Sequence, residues 1–169
     1  MQSKKNRNIT IRKALKEDFK EIALLHFKMV NDVMPKLVPS ICEFSNYPMQ
    51  LTDAEKSIKE MIEDPDHDII VACNKDKIIG FLSIVTENYT DDLLPAPFST
   101  IEYIEVEPDF QSVGVGQILI DEAERIAYLK DHKYIDSLVW ETNEKAKRLN
   151  EKNGFCTIER RMAKKLLEK

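Results

Sequence analysis

Apolar residues recur along the chain in two rhythms, and the changes between them mark out its elements. Ile9-Thr10-Ile11 alternates and predicts a short first strand. Phe19, Ile22, Ala23, Phe27 and Val30 return every three or four positions and predict a helix over about residues 17–31. Pro35, Pro39 and Pro48 break up residues 32–50 into an irregular connection with a helical turn. Thr52-Asp53-Ala54-Glu55 reads as a capping box that opens a second helix, carrying Ile58, Met61 and Ile62 and ending near Asp64-Pro65. Ile69 to Cys73 and Ile78 to Val85 flank a polar turn and predict a hairpin. A loop with two prolines covers residues 88–99, and Ile101 to Val106 forms a strand that Pro108 ends. Val115, Ile118, Leu119, Ala123, Ile126 and Ala127 mark an amphipathic helix of about 116–130. Ile135 to Trp140 is a strand, Asn143 to Lys152 a helix stopped by Asn153-Gly154, and Phe155 to about Leu166 one or two last strands.

This order, β-α-α-β-β-β-α-β-α-β, predicts one mixed α/β domain over residues 1–169. No repeat, low-complexity tract or Gly/Ser linker interrupts it. A chain of 169 residues buries enough surface to fold without disulfides or a structural metal. Its 43% hydrophobic and 33% charged residues are ordinary for a globular protein. The net charge of -5 argues against a general nucleic-acid binder. It does not argue against a single anionic ligand held by local dipoles. Cys42, Cys73 and Cys156 are an odd number without metal-type spacing, and they read as reduced thiols of a cytoplasmic protein. The polar, basic stretch Met1 to Asn8 does not read as a secretory signal, and the apolar runs are too short to span a membrane.

Only four glycines occur, and two of them, Gly114 and Gly116, lie two residues apart between a strand and a helix. The leading N–H groups of a helix have no partner inside it, and the helix dipole adds about half a positive charge there. Glycine lets a ligand approach that backbone, which suits a phosphate. The plain alternative is a tight turn. A Walker A loop is excluded, because Gly116 is followed by Gln117-Ile118. A dinucleotide fingerprint fits poorly, because its third glycine is missing.

The segment Val106-Glu107-Pro108-Asp109-Phe110-Gln111-Ser112-Val113-Gly114-Val115-Gly116 resembles motif A of the GNAT N-acetyltransferase superfamily. A second block, Asn143-x-x-Ala146-x-x-Leu149 followed by Lys152-x-Gly154-Phe155, is similar to a later motif of the same superfamily. The resemblance implies a twisted mixed sheet of six to seven strands with about four helices, splayed between strands 4 and 5. It implies acetyl-CoA as cosubstrate, with the pantetheine beside Ile104, Glu105 and Val106. The pyrophosphate would rest on the backbone of Gln111, Ser112, Val113, Gly114, Val115, Gly116 and Gln117, and Asn143, Ala146 and Asn150 would line the other side.

Two departures stand out. Residues 107–117 contain no cation, so the phosphates would depend on backbone dipoles and on groups such as Lys145, Lys147, Arg148 or Lys152. Many members carry a tyrosine that protonates the CoA thiolate, and that position here is Asn150. An amide hydrogen-bonds but does not donate a proton at neutral pH.

An amine acceptor must lose a proton before it attacks, and a carboxylate or histidine serves as base. The resemblance places this base on the fourth strand, which points to Glu102, with Glu105 the lesser candidate and a solvent-facing glutamate the plain alternative. A strand bulge there would offer a backbone N–H to the thioester carbonyl. His26 reads as structural, His67 as a turn residue and His132 as exposed. No histidine pair has metal-ligand spacing, and no metal is expected. Cys156 is expected to pack in a strand. The acceptor side would carry Asp32, Glu43, Glu87, Asp91 and Asp92 against Lys28 and Lys36, which favours a cationic amine, and Tyr47, Tyr89 and Phe98 would give it an apolar patch. The expected activity is transfer of an acetyl group to a small-molecule or peptide amine by direct attack. A CoA-binding module without useful turnover is the alternative, and both a monomer and a homodimer remain open.

Overall fold

The computed structural model of the chain describes residues 9–37, 48–89 and 93–164. Five strands pair there into one sheet: β1 (Ile9–Lys13), β2 (His67–Asn74), β3 (Lys77–Glu87), β4 (Phe98–Val106) and β5 (Ile135–Ser137). Their spatial order follows the chain. β1 to β4 pair antiparallel, and β5 joins β4 in parallel. The helices are α1 (Phe19–Lys28), α2 (Leu51–Glu63), α3 (Val115–Leu129) and α4 (Glu144–Lys152). α1 runs on through a π-helical turn, Met29–Val33, into Met34–Leu37.

Two cores sandwich the sheet. Ile22, Ala23, Ala54 and Ile58 of α1 and α2 pack on Ile69, Val71 and Phe81. Leu119, Ile120 and Ala123 of α3 pack on Ile70, Ala72, Ile79, Leu82 and Ile101 of the opposite face. Burial on both faces explains why β2 and β3 read as unbroken apolar runs. Each fully buried isoleucine or leucine here contributes about 1.5–3 kcal/mol. Ile118, expected on the inner stripe of α3, is exposed instead, and Ile120 takes the buried position.

The sheet has five strands among the described residues, not six to seven. Residues 155–164 form no strand, and Cys156 to Lys164 are exposed. A strand needs an edge to pair with, and β5 offers only three residues. Cys156 is therefore exposed rather than packed in a strand, while Cys73 is buried, and both are free thiols. The strand expected over 135–140 stops at Ser137. The cap of α2 lies two residues before the expected Thr52. Its N-cap is Gln50, whose carbonyl accepts the N–H groups of Asp53 and Ala54 at 3.1 and 3.2 Å.

Three features shape the site. β5 pairs only with Ser99, Thr100 and Ile101. Two more bonds flank these pairs, from the Ser99 N–H to the Tyr134 carbonyl at 3.1 Å and from the Leu138 N–H to the Ile101 carbonyl at 3.2 Å. Beyond Ile101, among the described residues, β4 has no strand on that side, so the sheet opens between strands 4 and 5 as the resemblance implies. The second feature is a bulge: Ser83 faces Tyr103 while the next residue, Ile84, faces Ile101, which leaves Glu102 as the extra residue of β4. The third is the turn into α3, where Gly114 is the N-cap at φ +98° and Ser112 also has positive φ.

Candidate active site

The bulge decides which way the acids of β4 point. Ile101, Ile104 and Val106 belong to the α3 face, whereas Tyr103 lies on the α1/α2 face. Strict alternation would put Tyr103 on the same side as Ile101, so the extra residue resets the pleat. Glu102 is left with its carboxylate toward β3 and β2. Its Oε2 lies 3.2 Å from His67 Nε2 and accepts a long bond from Ser83 Oγ at 3.4 Å. The other ring nitrogen, Nδ1, is 2.9 Å from Asp64 Oδ2. Asp64 is the C-cap of α2 and also accepts the Asp66 N–H at 2.9 Å. That amide bond and His67 hold the Asp64 carboxyl below its ordinary range. His67 is the first residue of β2, not the turn residue that its neighbours Pro65 and Asp66 suggest.

Glu105 is placed differently. It is 6% exposed, and its Oε1 sits 2.7 Å from Nδ1 of His26, itself 5% exposed. His26 meets Tyr103 edge-to-face at 4.9 Å. Burial, then the charges of Glu102 and Glu105, raise the Tyr103 phenol above its ordinary range. His26 is thus structural, as expected, and it joins α1 to β4. His132 is half-buried rather than exposed, with Nδ1 2.8 Å from Ser99 Oγ, and burial lowers its pKa.

The residues expected to bind the pyrophosphate form one continuous feature. Pro108–Phe110 is a single 3-10 turn, Gln111 returns its side-chain amide to the Val106 carbonyl at 3.0 Å, and Ser112, Val113 and Gly114 are exposed. Val115, Gly116 and Gln117 then make the first turn of α3, whose N–H groups have no carbonyl partner within the helix. Of the four cations considered on α4, Lys145 reaches this turn, with Nζ 3.3 Å from Gln111 Oε1. Lys147 is drawn to Glu144 at 2.8 Å and to the Glu141 carbonyl.

α4 closes the other side. Asn143 is its N-cap and accepts the Ala146 N–H at 3.2 Å. Leu149 packs in the core with Ile104 and Val106. Gln117 and Asn153 are hydrogen-bonded side chain to side chain, tying the start of α3 to the end of α4. Asn150 is 7% exposed on the inner side of α4. Ile104 and Val106 of β4, Gly116 of α3 and Leu149 of α4 thus meet beside the open side of β4.

Of the expected acceptor side, Glu43, Tyr47, Asp91 and Asp92 lie outside the described residues. Tyr89 and Phe98 do meet, ring to ring, at 6.1 Å, but Phe98 is buried in the core. Leu25, Lys28, Met29, Asp32 and Val33 of α1 and its π turn, with Lys77, Glu107, Pro108 and Asp109, line a cavity of about 310 Å³ beside the end of β4. Among the described residues no group of three or more His, Cys, Asp or Glu side chains is arranged to hold a metal ion. No described helix is long and apolar enough to cross a membrane.

What proximity along the chain could not reveal was the Asp64–His67–Glu102 series and the reach of Lys145. The first depends on strand register across two junctions, the second on how α4 docks. The fit to a nucleotide thioester rests on the exposed residues 112–114, the side of β4 that lacks a strand, and Lys145 beside them.

A comparison with curated protein sequences finds no match. Among solved structures the chain is similar to the aminoglycoside N-acetyltransferase AAC(6')-Iy in complex with CoA. That pair has a TM-score of 0.75 at 18% identity, over 97% of this chain and 98% of the other. Aminoglycoside 6'-N-acetyltransferase AAC(6')-IG from Acinetobacter haemolyticus gives 0.71 at 18% identity, over 93% and 99%. A transcriptional regulator from Bacillus halodurans C-125 gives 0.72 at 21% identity, over 94% and 100%. These likenesses concern the fold. The model of the acetyltransferase (GNAT) family matches residues 35–155, and with the motifs and the opened sheet in place the chain belongs to that family, an acetyltransferase with acetyl-CoA as cosubstrate.

Proposed function

We propose that the protein transfers the acetyl group to a primary amine of a small molecule or peptide, by direct attack while both substrates are bound. The observation that carries this reading is the bulge at Glu102. It sets a partly exposed carboxylate on the α1/α2 face of β4, immediately before residues Tyr103 to Val106, which pair with β3 but not with β5. Bound acetyl-CoA supplies an activated acyl group on a good leaving group. The chain's own residues do the rest. The first turn of α3 and the 111–114 loop hold the pyrophosphate by backbone N–H groups, assisted by Lys145. The β4 residues Ile104, Glu105 and Val106, which have no strand on the β5 side, and the α4 residues Asn143, Ala146 and Asn150 orient the pantetheine. Glu102 accepts the proton that an ammonium acceptor must lose. Two aminoglycoside acetyltransferases among the structural neighbours support an amine acceptor, as does the acidic Glu102 on this face. The free thiols of Cys73 and Cys156 support a reducing, cytoplasmic setting.

A CoA-binding module without turnover is the second reading, favoured by Asn150 at the position where many family members carry a tyrosine. One experiment separates the two. CoA release from acetyl-CoA is followed with a panel of primary amines: neamine, spermidine and a tripeptide amide. The enzymatic reading expects turnover with at least one of them, and a loss in kcat of roughly 100-fold in Glu102→Gln with unchanged affinity for acetyl-CoA. Tight CoA binding without turnover of any amine favours the module.

A further inference from the structure

The net reaction of an ammonium acceptor leaves a proton over. R–NH3⁺ and acetyl-S-CoA give the amide, CoA–SH and one H⁺: the C–S bond breaks, the N–C bond forms, one amine proton ends on sulfur and the other must leave the site. Glu102 takes that second proton, and it must lose it again before the next turnover. Its Oε2 is occupied by His67 Nε2 at 3.2 Å and by Ser83 Oγ at 3.4 Å. A serine hydroxyl between partners does not carry a charge away, whereas an imidazole accepts a proton on one nitrogen and releases one from the other.

We propose that His67 is the proton exit of the active site: Glu102 gives its proton to Nε2 of the ring, and the ring releases the proton of Nδ1 to water at the Asp64 end. The inference rests on Glu102 acting as the base. Both ring nitrogens face carboxylate oxygens, Nε2 toward Glu102 and Nδ1 toward Asp64 at 2.9 Å. Two such contacts are satisfied together only when both nitrogens carry hydrogen, or when one carboxyl does. The series therefore accommodates an added proton, whose place can shift by small movements along a single line. Exposure is lowest at the ring and rises toward Asp64, the Glu102 side chain being 29% exposed. The His67 side chain is 15% exposed and Asp64 42%. Asp64 stays ionised, because the Asp66 amide and His67 hold its carboxyl low, so it orients the Nδ1–H toward solvent without keeping the proton.

The rest of the fold keeps the line straight. The Asp64 carbonyl accepts the His67 N–H at 3.2 Å and the Asp66 carbonyl accepts the Thr86 N–H at 2.8 Å, which pins the α2–β2 turn to β3. The bulge then brings Glu102, 35 residues downstream, to the same ring. His67 acts through Glu102 and is a positioning and relay residue, not one that touches the acyl group.

The test uses the full-length protein with acetyl-CoA and the fastest amine of the panel above. His67→Gln keeps an amide N–H for Glu102 but cannot pass a proton on. His67→Ala leaves room for a small base. Both variants should bind CoA as the parent does by calorimetry, keep KM for acetyl-CoA, and lose about tenfold or more in kcat. Imidazole added to His67→Ala should restore most of the lost rate in proportion to its concentration and leave the parent rate unchanged. Unchanged kcat in His67→Gln, alongside a large loss in Glu102→Gln, overturns the exit while leaving the base in place. A loss that imidazole does not repair in His67→Ala, together with weaker CoA binding, also overturns it, because the histidine would then be holding structure only. Unchanged kcat in Glu102→Gln, or no turnover of any amine, overturns the base and the exit together.

Discussion

The Cδ2 atom of Leu149 lies 3.0 Å from the point where Gly116 would carry a Cβ. The second residue of α3 is therefore the floor on which α4 rests, with Ile104 Cδ1 4.0 Å away on the strand side. Spacing alone suggests that this glycine exists for a ligand. In the fold it also sets the distance between two helices.

Gly116→Val should accordingly act twice. Pushing Leu149 aside costs roughly 1–3 kcal/mol, read as a lower unfolding midpoint in urea. The displaced helix and the added bulk should weaken CoA binding about tenfold or more by calorimetry. Adding Leu149→Ala relieves the collision, so the double variant should regain stability relative to Gly116→Val, provided the lost leucine contacts cost less than the strain. If affinity is unaffected in Gly116→Val, the turn does not hold the pyrophosphate.

Lys145 is the one α4 cation drawn to the 111–117 turn, and it leans on Gln111 from a solvent-exposed position. Exposed charge pairs are screened by salt. Lys145→Met should raise the Kd for CoA roughly threefold to tenfold at low ionic strength, and the gap should close as salt is added. Lys147→Met, whose ammonium is engaged by Glu144, should change little. Equal affinities for the parent and Lys145→Met at low salt would assign the phosphates to the backbone alone.

Gly80 meets a harder obstacle. A Cβ there would stand 2.8 Å from the carbonyl oxygen of Glu105, which is backbone and cannot rotate away. Gly80→Ala must part β3 from β4 and should cost about 1–3 kcal/mol. Because β4 supplies the residues expected to line the pantetheine, acetyl-CoA affinity should fall in the same variant. A stable Gly80→Ala with normal affinity would show that this part of the sheet yields more easily than the contact implies.

Acid should loosen the β1 side first. The Arg12 guanidinium, bonded to Asp18 at 2.5 and 3.0 Å, holds that carboxyl below its ordinary range, with the Leu15 amide assisting. Burial pushes Asp68 upward, but Lys13 and Lys130 outweigh it, so Asp68 is also low. A carboxyl with a lower pKa when folded stabilises fully above its unfolded value near pH 4, and that contribution drains away as pH falls through the folded value. Unfolding midpoints measured from pH 7 downward should hold steady to about pH 4–5 and then decline. Asp18→Asn should start lower and fall less steeply. An unaltered slope in that variant would remove the pair from the acid limb.

Much of the architecture could be read from the residues. The apolar runs of β2 and β3, the periodicity of α3, the Asn143 cap and the Gly154 stop, at φ +86°, each have a local cause. Thr52-Asp53-Ala54-Glu55 misled because a cap motif competes with what precedes it, and the Gln50 carbonyl already serves the first N–H groups. The last strands misled because a period-two pattern needs an edge, and β5 ends after three residues. Glu102 could be singled out as a charge in an apolar strand, yet its direction could not, since one extra residue against Ser83 reverses it. His67 sits beside Pro65 and Asp66 in the chain and takes its meaning only from a carboxylate on another strand. The motif residues around Gly114 pointed to the turn itself, whereas the lysine that answers its missing cation comes from a helix 30 residues further on.

The brevity of β5 has a dynamic consequence. Three residue pairs and two flanking bonds join it to β4, so amide hydrogens of Ser137 and Leu138 should exchange with deuterium well before those at the centre of β3. A thioester lodged in the gap would act as a splint between the two halves, and protection should then spread from Ile101 toward Val106.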